Sequence, residues 1–297
     1  KHKNDQSLAD SGITLIVPFP SGGPADRYAR YFAQVFSDKI NKRVVVDNAI
    51  GLGGLLGVHK ITRSSPDGLT IGLAGTGATV FSRLNTGDNL FDVFHDVTYL
   101  NGLVKVPNIL LVGAHVAAWR MTDLIAQARM RPNMYRIAHV GQGSLSVLAD
   151  LFQKKTDLAL IPRNYEGLVP AISDLMKQRV DIVFAEAAGA MSAIKSEVVR
   201  PLMIAAQARA SWLPETPTSL ECGLPDVFAD GGYSLIAPAG LKPDTTLRLR
   251  EAIVETLNSS EIRRDFLSQG GTPDLRSGDM YVEYLKSEHA RWQALTI

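Results

Sequence analysis

Four short stretches carry the residues best suited to bind something. They are Ser21-Gly22-Gly23, Gly75-Thr76-Gly77-Ala78-Thr79, Gly141-Gln142-Gly143-Ser144 and Ala185-Glu186-Ala187-Ala188-Gly189, each following an apolar run. The first three hold a hydroxyl. Glycines let backbone N–H groups approach a ligand closely, and a helix opening on such a loop adds partial positive charge. Parallel sheets collect ligands beyond the carboxyl ends of their strands. Loops of this kind could hold a carboxylate by amide dipoles, without a salt bridge. Each taken alone is equally an ordinary strand-to-helix turn.

Other chemistries find little support. There is no Gly-x-Ser-x-Gly, no Walker A and no His-Glu-x-x-His pattern. Ser192-Ala193-Ile194-Lys195 matches Ser-x-x-Lys, a pattern of common residues that arises by chance. The histidines at 2, 59, 95, 115, 139 and 289 do not cluster, so no metal site is expected. The glycine-rich loop at 51–57 follows a strand and opens a helix, which invites a dinucleotide reading. The acid that should close the next strand is missing, because Asp67 lies in the turn before it and residues 69–77 hold none. Close helix packing explains those glycines better. Cys222 is the only cysteine, so it forms no intramolecular disulfide and reads as a small inert residue.

Positioning such loops needs a folded core, and the composition provides one. Of 297 residues, 45% are hydrophobic and 21% charged, which excludes disorder, collagen and coiled coil. Lys plus Arg number 31 against 30 Asp plus Glu, a net charge of +1, so no global field favours nucleic acid. No run of about 18 apolar residues could span a membrane. The first six residues lack an apolar signal core, so the chain reads as cytosolic or as exported with its signal peptide removed.

The pattern of strand, glycine-rich loop, helix and strand repeats along the chain, as in an α/β protein with a mostly parallel sheet. Strands are expected at 13–17, 43–47, 69–74, 108–112, 135–140, 180–184, 202–206 and 233–240. Helices are expected from 24, at 55–62, at 122–130 with Thr122 as cap, at 145–154 and at 165–177. The tail reads as helices at 245–257, 260–269 and 277–295. Pro24 suits a first helical position with Gly23 as cap, and Asp26 lies where a carboxylate can reach back to a free N–H.

The run Pro18-Phe19-Pro20-Ser21-Gly22-Gly23-Pro24-Ala25-Asp26, after its strand, resembles the opening of the Bug family, the solute receptors of tripartite tricarboxylate transporters. The resemblance continues through Val44-Val45-Val46-Asp47-Asn48, the 51–57 loop, Ser65-Pro66-Asp67-Gly68, Val106-Pro107-Asn108 and Gly141-Gln142-Gly143-Ser144. Leu213-Pro214-Glu215-Thr216-Pro217, Cys222-Gly223-Leu224-Pro225 and Ala237-Pro238-Ala239-Gly240 complete it. It runs in order from residue 13 to the C-terminus.

The resemblance implies a two-domain periplasmic-binding-protein (Venus-flytrap) fold, each domain a mostly parallel mixed sheet flanked by helices. It places domain 1 at 13–113 plus 233–297, domain 2 at 114–232, and the hinge near 112–115 and 231–234. Function would be periplasmic capture of a small carboxylate in the cleft, with closure on the ligand and delivery to membrane permease subunits. No cofactor, metal, nucleic acid or catalytic residue is implied, and the receptor would be a monomer. Ligand contacts would come from Phe19, Ser21, Gly22, Gly23, Ala25 and Asp26, with Gly75, Thr76 and Ala78 beside them. Gly141, Gln142, Gly143 and Ser144 would face them from the other domain. Two other readings stand beside this one: a cytosolic α/β enzyme using loop amides as an oxyanion site, and a loaded partner of a sensor kinase.

Three positions depart from the family pattern. A common His corresponds to Val147, a common Asp to Ala185 with Glu186 next, and a common Trp to Gly232 followed by Tyr233. Losing a polar contact and bulk suggests a longer or less polar ligand than an amino acid, such as a five- to eight-carbon dicarboxylate or an aromatic carboxylate. The segment 161–167 is two residues longer than usual, and its Arg163 is either a cation for a ligand carboxylate or a solvated loop arginine.

Overall fold

The computed structural model describes residues 12–81, 90–141 and 143–295. Gln142, one of the expected ligand contacts, lies outside the described residues. The chain divides into two compact units, one of Lys1–Lys105, Gly232–Ser268 and Thr272–Ile297, the other of Val106–Gly231 and Gln269–Gly271.

In unit 1, β1 (Ile13–Val17) is the inner strand, parallel to β2 (Val44–Asn48) and β3 (Thr70–Gly75). Leu15 and Val17 have no exposed surface, as expected of a strand covered on both faces. The other side of β3 pairs antiparallel with β9 (Asp230–Pro238), which sets Tyr233 opposite Gly75. The long strand β4 (Val97–Gly113) pairs through Val104 and Lys105 with β10 (Thr272–Pro273). Helix α1 (Pro24–Ile40) buries Tyr28, Ala29, Phe32 and Phe36 along one stripe, against α7 (Pro243–Leu257) and α8 (Ser260–Ser268). Tyr28 meets Phe266 edge-on, with ring centroids 5.2 Å apart. Helix α9 (Gly278–Leu295) carries Trp292 against Phe81.

The glycine-rich loop ends in α2 (Leu55–Thr62) and serves close packing. A Cβ on Gly57 would stand 2.4 Å from the Cβ of Pro18, so only glycine lets α2 press against the loop that follows β1.

In unit 2, the second half of β4 pairs antiparallel with β7 (Ile182–Glu186) and β8 (Val199–Ile204). Next come β5 (Arg136–Val140), parallel to β7, and β6 (Ile161–Tyr165), parallel to β5 and last in its order. The helices are α3 (Met121–Met130), α4 (Ser144–Thr156), α5 (Leu168–Met176) and α6 (Ala187–Lys195). Asp181, just before β7, is a buried hub. It accepts the Arg136 backbone N–H at 2.6 Å, the Arg136 Nε at 2.9 Å and His115 Nε2 at 2.7 Å.

Several expectations need correction. The stretch 165–177 is not one helix, because 161–165 is the edge strand β6 and α5 starts only at Leu168. Pro162 hides that strand, and an edge is where a sheet tolerates proline. The stretch 185–189 is not a loop, since β7 runs to Glu186 and α6 begins at Ala187. Arg120, not Thr122, stands at the cap position of α3, and no side chain caps that helix. The strand expected at 108–112 is the second half of one 17-residue strand. Asn101, Gly102, Lys105 and Pro107 look like breakers but lie within it. The division between units falls inside β4, at Lys105/Val106.

Candidate functional site

In unit 1 the parallel register aligns the ends of β1 and β2, pairing Val17 with Asn48, and sets β3 beside β1 with Ile16 opposite Gly72. The loops that leave β1 and β3 therefore emerge side by side. The first, 18–23, opens directly into α1. Its cap, Gly23, is extended, and no side chain closes the helix start. The first-turn amides of Ala25 and Asp26 have no intrahelical acceptor, so an anion can take that place.

Asp26, in the first turn, directs its carboxylate back to the loop before the helix. It is 1% exposed. Its Oδ2 accepts the Gly22 N–H and Arg30 Nε, each at 2.8 Å, and its Oδ1 accepts Asn48 Nδ2 at 2.9 Å. Burial by itself raises the pKa of Asp26, but the Gly22, Asn48 and Arg30 bonds outweigh burial and hold it below 3.8. The charge on Asp26 is thus balanced by Arg30, and the carboxylate serves to fold Gly22 back over the helix.

The apolar side of this site is aromatic. Phe19 and Tyr233 meet edge-on, with centroids 5.4 Å apart at 71°. Gly75 lies under both rings: a Cβ there would stand 3.2 Å from Phe19 and 3.4 Å from Tyr233. Thr76, Ala78 and Thr79 are buried in the short helical turn that follows β3, where the Thr79 hydroxyl donates to the Gly75 carbonyl at 3.1 Å. His289 Nε2 bonds the Thr79 carbonyl at 2.6 Å and ties this turn to α9.

In unit 2, β5 is followed by Gly141 and Gly143, and α4 starts at Ser144, again with no side-chain cap. The Gly141 N–H donates to the Tyr165 carbonyl at 2.8 Å, which sets this loop beside the end of β6. Asn108 donates to Ser144 Oγ at 3.3 Å and to the Ala229 carbonyl at 3.2 Å. A hydroxyl that accepts one hydrogen bond keeps its own hydrogen to donate elsewhere. Glu186, half-buried, is opposite Asn108 in the β4–β7 register and stands at the cap of α6.

The structure thus brings Phe19, Gly75 and Tyr233 together, and Gly22 with Asp26, while Ser21, Gly22 and Gly141 are exposed. Ala25, Asp26, Ala78 and Ala185 have buried side chains and offer a ligand only backbone groups. Arg163 is exposed and lies in mid-strand on β6, not in a loop. Residue reasoning missed Arg30, Asn48 and Asn108. Asn48 ends β2 and Asn108 lies within β4, and each donates its side-chain amide to a backbone carbonyl.

The family model for "Tripartite tricarboxylate transporter family receptor" matches residues 28–296. The chain belongs to this receptor family. The receptor is 30% identical over 282 residues to protein BugT of Bordetella pertussis, covering 94% of this chain and 86% of that one. It is also 30% identical over 292 residues to a protein of Pseudomonas sp. (strain P51) from the tcbD-tcbE intergenic region, covering 96% and 85%. An R. palustris protein solved with adipate superposes with a TM-score of 0.86 at 25% identity, covering 96% and 95%. The periplasmic binding protein BugD superposes at 0.81 with 21% identity, covering 96% of each chain, and shows the fold. The α/β periplasmic-binding-protein fold expected from the sequence is the fold of the receptor, and the family is one of solute receptors rather than enzymes. Among the described residues, no helix is long and apolar enough to cross a membrane.

Position 232 has no room for a side chain. Gly232 is buried with φ of +131°, and a Cβ there would stand 2.1 Å from the Val104 carbonyl oxygen. The next residue, Tyr233, carries the ring that meets Phe19.

Proposed function

We propose that the receptor captures a small dicarboxylate in the periplasm and delivers it to membrane permease subunits of a tripartite transporter. One observation supports this reading above the others. A helix start whose cap residue is a glycine, with its first-turn acid bound to the Gly22 N–H and neutralised by Arg30, stands beside two aromatic rings. Free amides and the helix dipole would take a carboxylate, and the rings would take a hydrocarbon chain. The adipate in the similar R. palustris protein is a ligand of that chemistry. Gly143, Ser144 and Arg163 are proposed as further contacts, with the Ser144 hydroxyl as donor.

Titration calorimetry and thermal shift across a carboxylate panel test the reading. Adipate or terephthalate should bind more tightly than aspartate or glutamate. Tight aspartate binding with no response to the longer acids would overturn it. Gly75→Val should weaken the preferred ligand by about tenfold or more, because a branched side chain must displace Phe19 or Tyr233. Arg163→Ala should lower affinity for dicarboxylates more than for matching monocarboxylates. Equal, unchanged affinities would remove Arg163 from the site.

A further inference from the structure

The loop that follows β1 is exposed at Pro20, Ser21 and Gly22, yet it must present its amides in one arrangement to be useful. Asn48 has the geometry to impose that arrangement. It is the last residue of β2 and pairs with Val17, the residue from which the loop departs. The next residue, Ala49, donates its N–H to the Val17 carbonyl at 2.9 Å, which holds the two strand ends level.

The Asn48 side chain uses its full donor capacity. Its Nδ2 donates to the Phe19 carbonyl at 2.8 Å and to Asp26 Oδ1 at 2.9 Å. Its Oδ1 accepts Arg30 Nη2 at 3.0 Å. The orientation of the amide is set by its neighbours, since two are pure acceptors and the third is a pure donor. Arg30 closes the ring by donating Nε to Asp26 Oδ2, the same oxygen that receives the Gly22 N–H. Asn48 therefore grips both ends of the loop: Phe19 directly, and Gly22 through Asp26. An aspartate of the same shape has no donor for either acceptor.

We propose that Asn48 is a positioning residue for ligand capture, which orders the Phe19–Gly22 loop over the start of α1 before a ligand arrives. It does this without contacting the ligand. The gain is preorganisation: a loop already ordered has less conformational entropy to lose on binding. The ligand half of this inference rests on the carboxylate reading above; the ordering half does not.

The test uses Asn48→Ala and the isosteric Asn48→Asp in the full chain. Amide hydrogen exchange of the ligand-free protein is followed at Gly22 and Gly23, with Leu15 and Leu73 as references in the sheet. Adipate affinity and melting temperature are measured in parallel. Exchange at Gly22 should quicken about tenfold in both variants, with the sheet references unchanged, and adipate should bind about tenfold more weakly. Unchanged exchange at Gly22 would overturn the proposal. So would faster exchange with undiminished affinity in a protein whose wild type binds adipate, or an equal rise at the sheet references, which would mark a general loss of stability. If the loop loosens while wild-type protein binds no carboxylate on the panel, the brace stands and the carboxylate reading falls.

Discussion

Asp26→Ala should cost the receptor about 2–4 kcal/mol of stability and most of its carboxylate affinity, read by chemical denaturation and calorimetry. The removed carboxylate is buried and serves three donors: the Gly22 N–H, Asn48 Nδ2 and Arg30 Nε. Most of the cost falls on Gly22 and Asn48, because the Arg30 side chain is 49% exposed and water can solvate it. Affinity suffers because Gly22 is then no longer folded back over α1. A loss below about 0.5 kcal/mol would show that the network contributes nothing measurable. The pH dependence has a definite sign. The folded-state pKa of Asp26 lies below its ordinary 3.8, so its contribution is fully present above that value and is lost as pH falls through the lower folded value. In acid titration, Asp26→Asn should therefore show a flatter stability curve below about pH 4 than the wild type.

Gly232→Ala is expected to destabilise by about 3 kcal/mol or more, with loss of binding. Two penalties combine. The backbone has φ of +131°, where L side chains are strained, and the added Cβ meets the Val104 carbonyl oxygen at 2.1 Å, a backbone atom with no rotamer to yield. The next residue is Tyr233, so any shift of β9 moves the ring that faces Phe19 and Gly75. Gly53→Ala is the control. Gly53 also has positive φ, +64°, but nothing lies within 4 Å of its would-be Cβ. It should cost only the conformational penalty, about 1 kcal/mol. Equal effects at the two positions would mean that backbone strain, not contact with Val104, decides the matter.

The same contrast explains why the departures from the family pattern were only half legible. A glycine aligned with a tryptophan looks like lost volume. Only the β9 backbone, pressed against β4, shows that no side chain could stand at 232 and that Tyr233 carries the ring. Ala185 and Glu186 make the complementary case. Both fall in a stretch that reads as a loop, but Ala185 is an interior residue of β7 with no exposed surface. Successive strand residues face opposite sides of a sheet, so Ala185 and Glu186 point to different faces.

What the sequence determined by itself was whatever depends on neighbours along the chain. The apolar run 13–17 makes a buried strand. Pro24 after Gly23 starts a helix, and Asp26, four residues from Gly22, reaches back to a loop amide. The Bug-like motifs around these residues pointed to the receptor family. What only the tertiary structure decided was whatever depends on register between strands. That Asn48 stands beside Val17, that Tyr233 faces Gly75, and that β4 serves both units are pairings across 31, 158 and more positions of chain. No local pattern encodes such distances. They are set by which strands can bury their faces together, and that is a property of the whole sheet.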